Sequence, residues 1–292
     1  MFLQLLINGL IAGAIYALVA CGFSLIYSTN KFVHFAHGAI IVASGYLLFT
    51  FFNVIGINFY LSIFLTIIGG GLLGYLSNLL IYERLREKKA SASILLIASI
   101  ALLILIESLI LMIFGADLKI ILPFRYNSIS FLGAVITPLQ IAIIVSSLVL
   151  FALLFLLMKK TELGKKLRAV SESGTLVEML GISSKKLFTY SFVIGSALGA
   201  IAGIFVALEY NLEPTMGSNL MVKGFTGAIV GGITSVPGSI LGSFLLGTIE
   251  NFGVWFLPSG YKDAIAFMLL FAFLLFRPSG ILGKKASWKK WF

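Results

Sequence analysis

Charge is what this sequence has least of. Only 11% of its 292 residues are Asp, Glu, Lys or Arg, against about a quarter in ordinary globular domains. With 60% hydrophobic residues and a mean hydropathy of +1.09, that scarcity excludes a water-soluble chain. A single cysteine, Cys21, excludes an intramolecular disulfide, and its place inside an apolar run makes it a small packing residue. The only histidines, His34 and His37, share a helical face but are too few to complete a metal site, so no metal is expected. There is no GxxxxGK[ST] phosphate loop, no HExxH and no cluster of acids at metal spacing. Catalytic residues are therefore expected to be none, and the chain cannot hydrolyse ATP by itself on the usual plan. No Lys or Arg precedes the first apolar run and no small-residue cleavage site follows it, so that run reads as a span and not a removable signal.

What is present is long apolar runs. A membrane β-barrel would alternate polar and apolar residues over ~10 positions, whereas these runs reach the ~20 residues of a spanning helix. They cover 3–26, 35–54, 61–82, 91–114, 139–158 and 188–208, followed by a glycine-rich stretch at 225–250 and a last apolar segment at 264–276. The positive-inside rule decides how to read the glycine-rich stretch. Arg84, Arg86, Lys88 and Lys89 mark one inner loop, and seven Lys/Arg between 159 and 186 mark another. A single crossing at 225–250 would put Arg277, Lys284, Lys285, Lys289 and Lys290 outside. Two short helices broken around Ser235, Val236, Pro237 and Gly238 keep them inside, which leaves 17 of the 21 Lys/Arg inside and only Lys119, Arg125, Lys223 and Lys262 outside. The expected fold is thus an all-α polytopic membrane protein, 1–292 forming one permease domain. It has seven full transmembrane helices plus a broken or re-entrant helix pair, eight or nine by other counts, with the N-terminus outside and the C-terminus cytoplasmic. The net charge of +10 lies in loops, so the surface faces membrane lipid and no nucleic acid is expected.

Three features stand out inside that frame. Glu107 is the one ionisable residue in its span; it is either a pathway group or a hydrogen-bonding partner for a neighbouring helix. Gly195, Gly199 and Gly203 recur every fourth residue, as do Gly9 with Gly13, Gly227 with Gly231 and Gly238 with Gly242, the spacing of close helix packing in lipid. Packing alone leaves the concentration of glycine beside Pro237 unaccounted for, so the break is expected to border a pathway. Finally, the loop 159–187 is too polar to span yet carries apolar residues at helical spacing. One short basic helix is expected over 165–170 and another over 177–180, ending at Gly181, together forming a surface for a cytoplasmic partner.

In order along the chain, Asn8-Gly9, Tyr16-Ala17-Leu18, Phe35-Ala36-His37-Gly38, Glu83-Arg84 and Phe192-Val193-Ile194-Gly195 lead to Lys223-Gly224-Phe225-Thr226. Gly231-Gly232-Ile233, Pro237-Gly238, Tyr261-Lys262-Asp263 and Pro278-Ser279-Gly280-Ile281-Leu282-Gly283 follow. This succession resembles the LivH-type permease subunits of branched-chain amino acid ABC importers, with His34 standing where family members usually carry Asn. The resemblance implies a multi-pass protein of a prokaryotic plasma (inner) membrane. It implies as partners a second homologous, LivM-type permease, two ABC ATPase subunits and an extracytoplasmic amino-acid-binding protein. No cofactor is expected on this chain, ATP and Mg residing on the ATPases. It also implies an ATPase-coupling loop made by Leu163, Gly164, Lys165, Lys166, Leu167, Arg168, Ala169, Val170, Leu180, Gly181 and Ile182. The topology, with Glu107 as an isolated acid in its span, points to His37, Gly38, Glu107, Gly231, Gly232, Pro237 and Gly238 as pathway or gate residues. Urea or short amides are alternative substrates, an ion-coupled secondary carrier is an alternative mechanism, and a membrane enzyme is a more remote one.

Overall fold

The computed structural model describes residues 2–122, 128–131 and 133–283. Arg125, Lys284, Lys285, Lys289 and Lys290, which entered the charge count, lie outside the described residues. The elements run α1 (Phe2–Asn30), α2 (Ala36–Phe49), α3 (Phe59–Ser77), α4 (Glu83–Glu87), α5 (Ala92–Phe114), a hairpin of β1 (Ile129–Phe131) and β2 (Ala134–Ile136), and α6 (Pro138–Lys160). After these come α7 (Glu162–Glu172), α8 (Gly174–Met179), α9 (Ser184–Glu209), α10 (Met216–Gly231), α11 (Val236–Gly253) and α12 (Lys262–Phe276). Short π-helical turns continue α2 to Val54 and join α3 to α4 as one rod, Phe59–Glu87. Seven helices among the described residues are long and apolar enough to cross a membrane, and α10 and α11 form a further pair bent by 115°. The expected seven-plus-pair count is what the structure shows.

Helix ends fall where local chemistry stops them. Thr137 and Gln140 form a reciprocal capping box ahead of Pro138 at the start of α6. Ser91 caps α5, and Gly115 at φ 76 ends it. One face of the bundle gathers the end of α1, the rod end at 83–89, α7, α8 and the α10–α11 turn; the basic loops make it the basic face. The other gathers the start of α1, the β-hairpin, and the α9–α10 and α11–α12 connections.

Glycine explains how the centre closes. A Cβ at Gly195 would meet the Gly22 carbonyl and Ile26, and one at Gly203 would meet the Ile41 carbonyl, so α9 lies directly on α1 and α2. Gly9 and Gly13 face the α11 backbone at Thr248 and Phe244, and α1 packs most extensively against α11. These contacts put backbone on backbone, where dispersion replaces a hydrophobic driving force that lipid does not provide.

The broken pair differs from expectation in detail. The turn spans 232–235, not 235–238, because the Ser235 hydroxyl accepts the Gly238 N–H at 3.2 Å and Pro237 sits in the first turn of α11, where its missing N–H costs nothing. α10 also starts at Met216, well before 225. Packing does account for the glycines here: Gly231 and Gly238 face each other's carbonyls, Gly242 faces the Gly227 carbonyl, and Gly232, at φ 114, meets the backbone at Gly283. Gly242→Val, which forces a branched side chain into that seam, is expected to destabilise by about 1–3 kcal/mol and lower the apparent Tm in detergent by several degrees. An unchanged Tm would contradict the close approach of α10 and α11.

Candidate functional site

The loop on the basic face folds as two helices, both longer than the sequence indicated. In α7 every third or fourth residue turns inward: Gly164, Leu167 and Val170 are buried, and Leu163 packs half-buried beside them. Leu167 and Val170 join Leu25, Val177 and Leu187 in a small apolar core that fixes the loop to α1, α8 and α9. A Cβ at Gly164 would collide with the Leu157 and Met158 carbonyls, so glycine is what allows α7 to fold back sharply on α6. Lys165, Lys166, Arg168 and Ala169 face outward, and Lys166 pairs loosely with Glu162 at 3.8 Å. α8 ends in a Schellman motif: Gly181, at φ 75, donates to the Glu178 carbonyl at 2.9 Å, and Ile182 donates to that of Val177 at 3.2 Å. Leu176, Met179 and Leu180 project outward with 62%, 76% and 77% of their surface exposed. Beyond the loop, Lys185 bonds Glu83 at 2.5 Å and Glu87 at 3.0 Å, tying α9 to the end of the α3–α4 rod.

The loop and the broken pair meet at one cavity of about 670 Å³, bordered by Leu167 and Arg168 of α7, by Ser235 and Pro237 at the turn, and by Ser28 and Lys159. Carbonyls at the end of α10 and in the turn are taken up by groups from elsewhere in the chain. Ile281 and Leu282 donate their N–H groups to the Val230 and Gly231 carbonyls at 2.9 and 2.8 Å, and the Ser24 hydroxyl donates to the Ile233 carbonyl at 2.8 Å.

The expected pathway residues divide between the two ends of α10. Gly231, Gly232, Pro237 and Gly238 lie at the turn, Pro237 lining the cavity. Gly38 and Glu107 lie ~22 Å away at the first turn of α10, from the helical rise. There the α10 N-cap, Thr215, provides no side-chain bond, and Glu107 of α5 supplies the cap instead, accepting the Ser218 N–H at 3.1 Å. Gly38 packs on the Gly217 carbonyl of the same turn. His37 fills a slot between Gly22 of α1 and Gly199 of α9, and His34 holds the Tyr82 hydroxyl at 3.0 Å between the Tyr82 and Phe192 rings. Glu107 therefore has the neighbour-bonding geometry of its two readings, and the histidines are packed into the bundle.

Residues 5–274 match the model of a family described as the branched-chain amino acid transport system permease component. The chain belongs to this family. It is 35% identical to the high-affinity branched-chain amino acid transport system permease protein BraD of Pseudomonas aeruginosa, covering 97% of this chain and 96% of that protein. It is 30% identical to LivH of Escherichia coli K12 over the same shares, and 28% identical to the probable LivH of Methanocaldococcus jannaschii over 98% of this chain and 94% of the relative. No solved structure matches the chain.

This permease also contains an ion network that sequence reasoning missed. Lys223, counted above among the outside charges, is instead buried on α10. Its Nζ lies 2.5 Å from Glu250 Oε1 on α11 and 2.8 Å from Asp263 Oδ1 on α12, and the Tyr16 hydroxyl of α1 donates to Glu250 Oε2 at 3.1 Å. Three helices and the α1 tyrosine are thereby cross-linked through one ammonium. The available signal was a lysine and a glutamate, Lys223 and Glu250, inside one otherwise apolar stretch. On the basic face Arg86 makes a similar clamp, donating to Asn30 and Asn78 and stacking 4.8 Å from the Phe188 ring. Lys223→Met leaves the Glu250 carboxylate buried and unpaired, so a loss of about 3–5 kcal/mol is expected. The pair Lys223→Met/Glu250→Leu is expected to recover much of it. Detergent melting curves in which the double variant is no more stable than Lys223→Met would contradict the pairing.

Proposed function

We propose that this permease is the membrane-spanning, non-catalytic subunit of an ATP-binding-cassette importer for branched-chain amino acids in a prokaryotic plasma membrane. Substrate is handed over by an extracytoplasmic binding protein; a second homologous permease completes the pathway. ATP and Mg²⁺ are bound and ATP is hydrolysed on two partner ATPases. The basic face is cytoplasmic, with the N-terminus outside and the C-terminus inside, in agreement with the positive-inside rule.

One observation carries the reading: a loop beyond the membrane rods holds a rigid apolar floor against α1 and α9 while presenting Leu176, Met179 and Leu180 outward. Large apolar side chains exposed together on a well-folded element mark a contact surface for another protein. The relatives with matching full-length similarity are permease proteins of transport systems, and a permease without a phosphate loop that runs on ATP must draw on another chain to hydrolyse it. Gly164 to Ile182 is accordingly the coupling element, and ATPase closure moves it as a unit against the turn at Gly232 to Ser235. The branched-chain substrate follows the names of the relatives and suits a bundle with few internal charges.

Two variants test the coupling role. Arg168→Glu reverses a charge on the outward face of α7, and Gly181→Val forces a β-branched residue into a left-handed backbone where the side chain otherwise meets nothing. Each is expected to cut uptake about tenfold or more, the scale of a lost 1–3 kcal/mol coupling, with normal membrane insertion. Normal uptake in both would remove the assignment. A tagged chain extracted in mild detergent is expected to co-purify with two ATPases and a second permease, whereas recovery alone with full uptake would favour an ion-coupled carrier. For orientation, Ser259→Cys is expected to react with an impermeant thiol reagent from outside; labelling only from inside would invert the topology.

A further inference from the structure

The cavity where α7 meets the α10–α11 turn has a chemistry of its own. Its deep wall is apolar, made by Phe151 and Phe155 of α6 with Pro237 and Ile240 of α11. Its mouth on the basic face carries Lys31, Lys159 and Arg168 against one acid, Glu172. Lys31 and Glu172 have interactions of their own. Among the described residues Lys159 and Arg168 carry no ion pair, and Lys159 lies along the wall with its Nζ 5.3 Å from the Phe155 ring centroid. Phe151 to Lys159 is eight residues of α6, or about 12 Å of helical rise. That depth is close to half of the ~30 Å hydrocarbon core, so the cavity runs from headgroup level into the acyl region of one leaflet.

We infer that this cavity binds an anionic phospholipid of the basic-face leaflet, its phosphate between Lys159 and Arg168 and an acyl chain along Phe151, Phe155, Pro237 and Ile240. A soluble anion would leave the apolar wall uncovered. A neutral lipid would leave two cations at its headgroup unused. An anionic amphiphile satisfies both parts, and basic pockets between transmembrane helices at the cytoplasmic surface recognise lipid headgroups by this charge arrangement. The lipid touches both α7 and the turn, so it acts as a removable part of the joint between them. The assignment to the inner leaflet rests on the orientation proposed above; binding itself does not depend on the importer reading.

The test is lipid retention by the chain purified with its co-purifying subunits in neutral detergent, titrated with phosphatidylglycerol or phosphatidylcholine and read by native mass spectrometry. Preferential retention of phosphatidylglycerol is expected. Lys159→Gln is expected to weaken it about fivefold and Lys159→Gln/Arg168→Gln about thirtyfold, while Lys159→Arg, which keeps the charge, retains it and controls for folding. Ile240→Trp, which fills the apolar wall without touching a charge, is expected to weaken retention as well. Equal retention of the two lipids, an undiminished signal in the double variant, or a complex that holds no phosphatidylglycerol because a partner subunit covers the cavity would each overturn the proposal. Displacement by millimolar inorganic phosphate would also overturn it, showing a phosphate site and not a lipid site. Retention is read on purified protein whether or not it transports, so failure here leaves the importer reading intact, and failure of uptake leaves the lipid site intact.

Discussion

A helix that enters a bilayer and turns back must satisfy every backbone group at the turn from within the protein, because lipid offers no hydrogen bonds. In this chain the constraint bears on the α10–α11 turn at 232–235, which lies at the basic face with Gly232 buried and Thr234 exposed. Within and beside it, the Ser24 hydroxyl donates to the Ile233 carbonyl, the Ser235 N–H donates to the Gly232 carbonyl, the Ser235 hydroxyl caps the Gly238 N–H, and the N–H groups of Ile281 and Leu282 donate to the Val230 and Gly231 carbonyls at the end of α10. The glycines follow from the same requirement. Gly231, Gly238 and Gly242 permit the two arms to touch backbone to backbone, and Gly232, Gly280 and Gly283 permit the last described segment to lie against the turn. At the other end of α10, Glu107 of α5 caps the helix, and partway along it Lys223 is neutralised by Glu250 and Asp263. α10 is therefore anchored by polar contacts in its first half and by close glycine packing at its turn.

The basic face is tied to the bundle at several points. The tight α6–α7 corner at Gly164, the apolar core around Leu167 and Val170, and the Lys185 bridges to Glu83 and Glu87 attach the loop to α6, α1, α9 and the α3–α4 rod. The outward-facing Leu176, Met179 and Leu180 thus sit on a loop held by several contacts, as the proposed coupling role requires. Across the cavity from α7 lies Pro237 of α11. Packed helices that shift as rigid bodies are the usual means by which a distant event is converted into a change of access.

Much of this was legible in the sequence. Long apolar runs located six spans, and loop charge parity required the glycine-rich stretch at 225–250 to turn back on itself ahead of the short last span at 264–276. The inward positions of α7 follow from its helical period, and Gly181 is a stop signal that the Schellman bonds bear out. What was not legible depends on partners far apart in sequence. Nothing local marks Glu107 as the cap of a helix more than a hundred residues away, or tells Lys223 in a buried network from Lys223 in an outer loop. Glycine spacing showed that helices approach closely but not which ones, so it could not reveal that the glycines near Pro237, read as bordering a pathway, build the hairpin seam. The meeting of α7 and the α10–α11 turn at one cavity is likewise a property of the assembled bundle alone.

The most direct test of the account is transport by purified components. The chain and its co-purified subunits are reconstituted into liposomes with the amino-acid-binding protein outside and ATP enclosed, and labelled leucine uptake is followed. Uptake that requires enclosed ATP and hydrolysis by the partner subunits, and that persists when proton and sodium gradients are collapsed, is the predicted result. Uptake by this chain alone, driven by an ion gradient and indifferent to ATP, would contradict it.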